Sequence, residues 1–169
     1  MDASALKALQ APLKESYRET PEAGLVRLRA EGALAPGAIA CKVETGRALV
    51  EAGLHPKTGG DGSQACSGDM LLEALCACAG VTMSAVATAL GVDLRGGRVR
   101  AEADFDARGT LGVDRAAPVG LTGIALDFDV EADADPEQLA TLLRLTERYC
   151  VILQTLRQGQ EVEARISAA

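Results

Sequence analysis

The feature that most constrains the fold is a long apolar segment in the middle of the chain. Residues 74–90 contain no charged side chain, and the wider segment 68–90 has the composition of a helix that is apolar nearly all round. Such a stretch is borderline in length for a membrane span, which needs ~20 apolar residues. Its many alanines, together with Gly80, Thr82 and Ser84, favour a helix buried at the centre of the fold.

Local patterns place the ends of this predicted helix and its two cysteines. Ser67 or Asp69 is expected to cap the N-terminus, and Gly91 to end the helix. Because successive helical residues turn by ~100°, Cys76 and Cys78 point to nearly opposite sides. These two thiols therefore cannot act as a vicinal pair.

Segments of alternating polar and apolar residues on both sides of the helix predict antiparallel strands with one buried face. A further helix over 135–159 begins with Asp135 as N-cap and Pro136 at its first position, and its apolar face includes Tyr149 and Cys150. Strands grouped on either side of helices predict an α+β fold rather than a parallel βαβ sheet. The predicted strands are 25–31, 38–45, 47–53, 98–107, 124–132 and 161–167, with a hairpin turn at 32–38 between the first two.

The first twenty residues are predicted to be a separate element. Apolar residues at spacings of three and four indicate an amphipathic helix over about 4–17, and the segment 20–24, with its Pro and Gly, breaks it. We expect its apolar stripe to dock on the domain or on a partner subunit. The chain is thus divided into an N-terminal amphipathic helix, 1–20, and one domain, 21–169. The stripe consists of Leu6, Leu9, Leu13 and Tyr17.

Composition and charge exclude several classes of function. With a net charge of −7, 2% aromatic residues and no cluster of Lys or Arg, nucleic acid binding is not expected, and the acidic surface disfavours anionic membranes. The chain opens without an apolar export signal, and its five cysteines, an odd number, indicate reduced thiols in the cytoplasm. A core of small side chains gains from burial against a partner subunit, which favours an oligomer.

The remaining cysteines and the single histidine have simpler interpretations. Cys41, Cys66 and Cys76 are taken as small packing residues, although Cys66, in the loop before the long helix, is also a candidate auxiliary resolving thiol. His55 is expected to be an exposed loop histidine, because its spacing from Cys66, Cys76 and Cys78 matches no standard zinc pattern. No metal and no cofactor are therefore expected.

Two motifs in order make residues 25–167 similar to a known family. The chain resembles the OsmC/Ohr family, the osmotically inducible protein C-like and organic hydroperoxide resistance proteins. The family's first motif ends in a cysteine with Thr four residues later, which Cys78 and Thr82 match. The matching segments are GDMLLEALCACAGVT (68–82), ERYCVILQTL (147–156) and VEARI (162–166). The second of them supplies Glu147, Arg148, Tyr149, Cys150, Thr155 and Leu156.

The resemblance implies both a fold and a reaction. The fold is OsmC-like, with antiparallel sheets around two central helices in an intertwined homodimer whose active sites form where the subunits meet. The reaction is reduction of small organic hydroperoxides by a thiol peroxidase, in which Cys78 becomes a sulfenic acid and Cys150 resolves it as a disulfide. A dithiol of the lipoyl or thioredoxin type would reduce that disulfide. The alternative is a non-catalytic member that binds an apolar ligand or senses oxidation at the dimer cleft.

Supporting residues follow from the way the family activates its first cysteine. The peroxidase branch uses an Arg from the early strands, held by a Glu ten residues before that cysteine, where this chain has Gly68. No Arg stands in the turn 32–38, which matches the turn that bears the family's Arg. An Arg beside the Cys78 sulfur would favour catalysis over binding or sensing. The supporting candidates are Asp69, Arg29, Arg47, Thr82 and Glu147, with Arg27 and Arg148 as further cations.

Overall fold

The N-terminal part of the described chain forms a four-stranded sheet. The computed structural model describes residues 2–5, 8, 11, 19–20, 32–34, 40–44, 49–112 and 114–167, with the backbone alone for 32–34 and 40–44. Strand β1 pairs antiparallel with β2, β2 antiparallel with β3, and β3 parallel with β4. The strands are β1 Gly32–Leu34, β2 Ala40–Glu44, β3 Leu49–Gly53 and the short β4 Ala65–Cys66.

The long apolar segment forms helix α1, Ser67–Leu90, directly after β4. It ends at Gly91, whose positive φ of 71° suits a residue without a side chain, and the Gly91 N–H donates to the last turn. Only one face of α1 is buried in the single chain, and Val81 on the opposite face is 73% exposed. The buried residues recur every four positions: Leu75, Ala79, Met83 and Ala87.

Helix α1 packs on a long two-stranded sheet. Strands β5 (Asp93–Asp104) and β6 (Thr122–Asp133) are antiparallel, in a register that places Val99 opposite Phe128 and Ala101 opposite Leu126. Because side chains alternate across a strand, these apolar residues lie on the face towards the helix, while charged residues occupy the other face. The connection between the strands contains one short helix, α2, Ala107–Thr110.

Two further helices complete the described chain. Helix α3, Pro136–Tyr149, begins with a capping box in which Asp135 and Gln138 satisfy each other's backbone N–H groups. Helix α4, Val151–Gln158, follows after the single residue Cys150. Cys150 has extended backbone angles (φ −72°, ψ 107°), so the two helices are separate rather than continuous.

The core lies between α1, the β5–β6 sheet and the pair α3–α4, in two clusters. One cluster contains Leu75, Ala79, Cys150 and Leu153. The other contains Met83, Ala87, Val92 and Leu142. Leu142 of α3 packs with Met83 and Ala87 in the later part of α1. Cys150, at the end of α3, packs with Leu75 and Ala79 nearer the start of α1, so α1 and α3 run antiparallel. This arrangement confirms the α+β prediction.

Four local predictions are wrong. Gly32–Leu34 belongs to a strand rather than to the predicted turn. The N-cap of α1 is Cys66, and neither Ser67 nor Asp69 caps it. The helix predicted over 135–159 is broken at Cys150.

The fourth error concerns the end of the chain. Residues 159–167 form no strand, and Val162 and Ile166 are 86% and 98% exposed, because no described strand pairs with this segment. At the other end, residues 3–5, 8, 11 and 19 are helical, whereas the predicted apolar stripe of that helix and the predicted strand 25–31 lie outside the described residues.

Within the described part of the chain, α1 is the one helix whose length and mean hydropathy of 1.8 would allow it to cross a membrane. This is weak support for a span, since core helices of soluble proteins share both properties. Helix α1 contacts β5, α3 and α4 through one face, so in the single chain it is buried on that face alone and not all round, as was predicted from its composition.

Candidate functional site

The site is built on the junction of α3 and α4, where Cys150 packs against the middle of α1. Cys150 is completely buried, and Cys78 is half-buried beside it in the same apolar cluster. The two thiols are neighbours in this cluster, and each influences the pKa of the other. Both are free thiols, as are Cys66 and Cys76 among the described cysteines. The fold thus brings together two residues that are far apart in the sequence.

The helix break turns backbone donors towards these sulfur atoms. The first N–H groups of any helix have no partner within it, and in α4 they belong to Val151, Ile152 and Leu153. Those of Ile152 and Val151 face Cys78, while those of Leu153 and Ile152 face Cys150. The junction contains no Pro or Gly, so its two β-branched residues provide the only local preference against a helix.

These contacts set opposite ionisation preferences for the two thiols. Burial raises the pKa of Cys78, but donors from Ile152 N–H, the Cys150 thiol, Val151 N–H and the Thr82 hydroxyl together outweigh it, so the pKa is lowered. Burial also raises the pKa of Cys150, and there the raising effects prevail, helped by the neighbouring Cys78. The arrangement therefore favours a thiolate at Cys78 and a neutral thiol at Cys150.

Thr82, one turn after Cys78, is close to both the backbone and the sulfur of that residue. Its hydroxyl donates to the carbonyl oxygen of Cys78 at 2.7 Å, and it also helps to lower the pKa of the thiol. A single hydroxyl proton can serve one acceptor at a time, so rotation of the side chain moves it between the carbonyl and the sulfur.

The charged supporting candidates are not gathered around Cys78. Asp69 is exposed on the first turn of α1, nine residues before Cys78 and therefore ~14 Å away along the helix axis. Glu147 pairs with Arg157 at 2.7 Å near the surface, and the guanidinium of Arg148 lies 5.7 Å from the ring centre of Tyr149. Arg29, Arg47 and Arg27 lie outside the described residues.

Sequence reasoning missed the backbone amides of the junction and the side chain of Gln154. The Gln154 side-chain amide donates to the carbonyl oxygen of Glu147 at 2.8 Å, across the break. In the sequence, Gln154 is a single amide side chain directly after the apolar stretch 149–153. Such a residue is too common to predict a contact across a helix break.

The other cysteines do not join the pair. Cys66 precedes Cys78 by twelve residues at the start of the same helix, which separates them by ~18 Å along its axis, far beyond the reach of a disulfide. The prediction of an auxiliary resolving role for Cys66 within one chain is therefore wrong. The thiol of Cys76 lies 3.7 Å from the carbonyl oxygen of Val99, on the side of α1 that faces β5. The side chain of Cys41 lies outside the described residues.

His55 has a local structural role in the described structure. Its Nδ1 accepts a hydrogen bond from the N–H of Lys57 at 3.0 Å, and its ring packs edge-on against Phe105, with ring centres 5.8 Å apart. It is half-buried rather than exposed as predicted. No group of three or more metal-binding side chains occurs within the described ranges.

An apolar cavity of about 270 Å³ lies beside the α3–α4 junction. Its walls come from the inward face of β6 and from both α3 and α4. Residues Ile124, Leu126, Phe128, Leu143, Leu153 and Leu156 line it, with Glu147 and Arg157 also contributing.

Comparisons with known proteins agree with this architecture. A family model described as OsmC-like protein matches residues 60–165. An OsmC-like protein from Mycoplasma pneumoniae has a similar structure, with a TM-score of 0.64 and 16% sequence identity, over 79% of this chain and 89% of that one. No curated protein sequence matches the chain.

Two further solved structures show the same fold at low identity. One is an organic hydroperoxide resistance protein OsmC from Legionella pneumophila, with a TM-score of 0.56 and 15% identity, over 79% of this chain and 91% of that one. The other is an organic hydroperoxide resistance protein from Elizabethkingia anophelis, with a TM-score of 0.56 and 14% identity, over 80% and 91% of the two chains.

Proposed function

Because the chain belongs to the OsmC-like protein family, we propose that it is a thiol peroxidase that reduces organic hydroperoxides with Cys78 and Cys150. One observation carries this proposal: the Cys78 thiol lies in one apolar cluster with the buried Cys150, and the amides of Ile152 and Val151, together with the Cys150 thiol, outweigh burial and lower its pKa. A thiolate is the nucleophilic form of cysteine, and here it is formed beside a second thiol. Two structural neighbours are described as organic hydroperoxide resistance proteins, which supports the substrate class.

The first step is attack of the Cys78 thiolate on the peroxide bond. The sulfur forms a bond to the terminal oxygen of ROOH, the O–O bond breaks, and the alkoxide takes a proton to leave as ROH. Cys78 is oxidised to a sulfenic acid and the peroxide is reduced to an alcohol. The backbone donors at the start of α4 stabilise the thiolate before attack, which is a task that the family's Arg performs elsewhere.

The second step joins the two cysteines. The Cys150 sulfur attacks the sulfenic sulfur, a disulfide forms and one water leaves. An external dithiol then reduces the disulfide through a mixed disulfide, returning both cysteines to thiols and becoming a disulfide itself. We propose a lipoyl or thioredoxin type of reductant, a homodimer as the working form and the cytoplasm as the compartment.

The test is consumption of cumene hydroperoxide by the full-length protein with dihydrolipoamide as reductant. Cys78→Ser should abolish the consumption, and Cys150→Ala should allow the first oxidation but reduce repeated turnover at least tenfold. Cys76→Ser is the matched control, because Cys76 lies two residues away on the opposite side of α1, and it should consume peroxide at the rate of the wild type. Equal consumption by the wild type and Cys78→Ser would overturn the proposal.

Oxidation sensing without turnover is the second candidate. Among the described residues, no Lys or Arg contributes to the lowered pKa of Cys78. A cation beside the thiol would also stabilise the leaving alkoxide, and the lack of one in the described part of the chain favours sensing. If the protein forms its disulfide with one equivalent of peroxide yet consumes no further peroxide with dithiol present, the sensing function replaces the catalytic one.

A further inference from the structure

The hydrogen-bond pattern across the α3–α4 junction shows which backbone groups the break leaves unpaired. The last bond of α3 runs from Cys150 N–H to the Thr146 carbonyl at 2.9 Å, and the first bond of α4 from Gln154 N–H to the Cys150 carbonyl at 3.0 Å. In a continuous helix, Val151 N–H would donate to the carbonyl of Glu147. The break therefore frees three donors, at Val151, Ile152 and Leu153, together with the acceptors at Glu147, Arg148 and Tyr149 that they would otherwise pair with.

The Val151 N–H and the Glu147 carbonyl, which would pair in a continuous helix, now have different neighbours. The N–H of Val151 faces the sulfur of Cys78, together with that of Ile152. The carbonyl of Glu147 accepts instead from the side-chain amide of Gln154 at 2.8 Å. Gln154 thus occupies the place that a backbone donor would otherwise hold.

The side chain of Gln154 is itself held in position. It is half-buried, and its carbonyl oxygen accepts a hydrogen bond from the side-chain amide of Gln158 at 3.2 Å. A second link crosses the same junction, where the Arg157 guanidinium pairs with the Glu147 carboxylate at 2.7 Å. Two residues of α4 therefore bind Glu147 in the last turn of α3.

We propose that Gln154 is a positioning residue: by capping the carbonyl of Glu147 it keeps the α3–α4 break open and so directs the amides of Val151 and Ile152 to the sulfur of Cys78. This inference deepens the proposed function and rests on it for its biological meaning. Without the Gln154 amide, the Glu147 carbonyl is a half-buried acceptor without a partner. In a continuous helix the donor to this carbonyl is the N–H of Val151, and its return to Glu147 would draw it away from Cys78.

The experiment compares Gln154→Met with the wild type in the full chain. Methionine has nearly the same length and volume but cannot donate a hydrogen bond. The readout is the pH dependence of alkylation of Cys78 by iodoacetamide, followed by mass spectrometry of the peptide that carries it. Gln160→Met is the matched control, since Gln160 lies beyond α4 in the exposed final segment.

We expect Gln154→Met to shift the alkylation profile of Cys78 to higher pH. At pH 7 the rate should fall about threefold or more, because the thiolate fraction changes tenfold for each unit of pKa. Gln160→Met should match the wild type. If Gln154→Met does not fold, as judged by circular dichroism, Gln154→Asn carries the test, since its amide is one carbon too short to reach across the break.

A profile for Gln154→Met that coincides with those of the wild type and Gln160→Met would overturn the inference. An equal shift in both variants would overturn it as well, because Gln160 has no place at the junction. The two proposals can fail separately. If the wild type consumes no peroxide but Gln154→Met still shifts the Cys78 profile, the positioning role stands and the peroxidase function falls.

Discussion

At Cys78, burial and hydrogen bonding act on the thiol in opposite directions, and hydrogen bonding prevails. The donors come from a neighbouring helix terminus and a neighbouring thiol, not from the helix that bears the cysteine. The family resemblance predicted roles for both cysteines, because the two motifs that contain them are local strings of residues. It could not identify the amides of Val151 and Ile152 as their partners, since any residue supplies the same backbone group and only the break turns these two towards the sulfur.

The first residue-scale prediction concerns the pH at which Cys78 reacts. Because its pKa lies below the ordinary value of 9.0, the midpoint of its alkylation profile should also lie below that value. Cys150→Ala removes a donor to the thiolate, which makes ionisation less favourable, so the midpoint should move to higher pH. Cys150 is the titratable group that faces Cys78 among the described residues, and Cys76→Ser should leave the profile unchanged. A wild-type midpoint at or above 9.0 would contradict this explanation of reactivity.

The second residue-scale prediction concerns Thr146, which is completely buried in α3 one turn before Cys150. Its hydroxyl has no hydrogen-bond partner among the described residues. A buried polar group without a partner costs about 1–3 kcal/mol, and valine has the same shape without the hydroxyl. Thr146→Val should therefore raise the free energy of unfolding by about 1 kcal/mol in a urea titration. A destabilised variant would show that the hydroxyl is in fact satisfied.

At the scale of elements, local signals predicted the structure wherever the deciding residues are close in sequence. Asp135 and Pro136 start α3 as expected, because a capping box and a proline act within one turn. The alternating strands β5 and β6 form the expected antiparallel pair. The break at Cys150 was not predicted because the sequence around it contains no Pro or Gly. Contacts of Cys150 and Gln154 with residues outside α4 stabilise the break. The strand predicted at 161–167 was wrong because a strand requires a partner, which a single sequence does not specify.

The element-scale prediction compares two glycines in helices. A Cβ at Gly80, within α1, would lie 3.6 Å from a methyl carbon of Val99, which is an ordinary contact. A Cβ at Gly109, within α2, would collide with the backbone carbonyl of Pro118. Gly80→Ala should therefore stabilise the protein by about 0.5–1 kcal/mol through helix propensity. Gly109→Ala should destabilise it by about 1–3 kcal/mol.

Urea titrations of both glycine variants provide the measurement. Equal effects of the same sign would contradict the different packing of the two sites.

At the scale of the whole molecule, the exposed apolar surface is the main unexplained feature of a single chain. One side of α1 is left uncovered, and the final segment projects Val162 and Ile166 into solvent. Apolar surface of this kind is typical of an interface. The composition predicted an oligomer on a different ground, because a core of small side chains gains from burial against a partner subunit. The proposed homodimer would place a second subunit against these surfaces.

We therefore expect the protein to sediment at about twice its chain mass of 17.4 kDa. Val81→Glu places a charge on the uncovered side of α1 and should weaken association at least tenfold, since an unpaired charge is costly to bury. Val119→Glu is the matched control, because Val119 is similarly exposed, at 65%, but lies in the connection between β5 and β6. A wild type that sediments as a single chain at micromolar concentration would contradict the homodimer.

The pairing of Cys78 with Cys150 is tested most directly by disulfide mapping after oxidation. The reduced Cys76→Ser protein is treated with one equivalent of cumene hydroperoxide, cleaved after glutamate and analysed by mass spectrometry; cleavage after Glu73 separates Cys66 from Cys78, so that each peptide of interest carries one thiol. We expect a single dominant product in which the peptide of Cys78 is linked to that of Cys150. A Cys78 peptide that is linked to Cys66, or oxidised to the sulfinic acid without any bridge to Cys150, would contradict it.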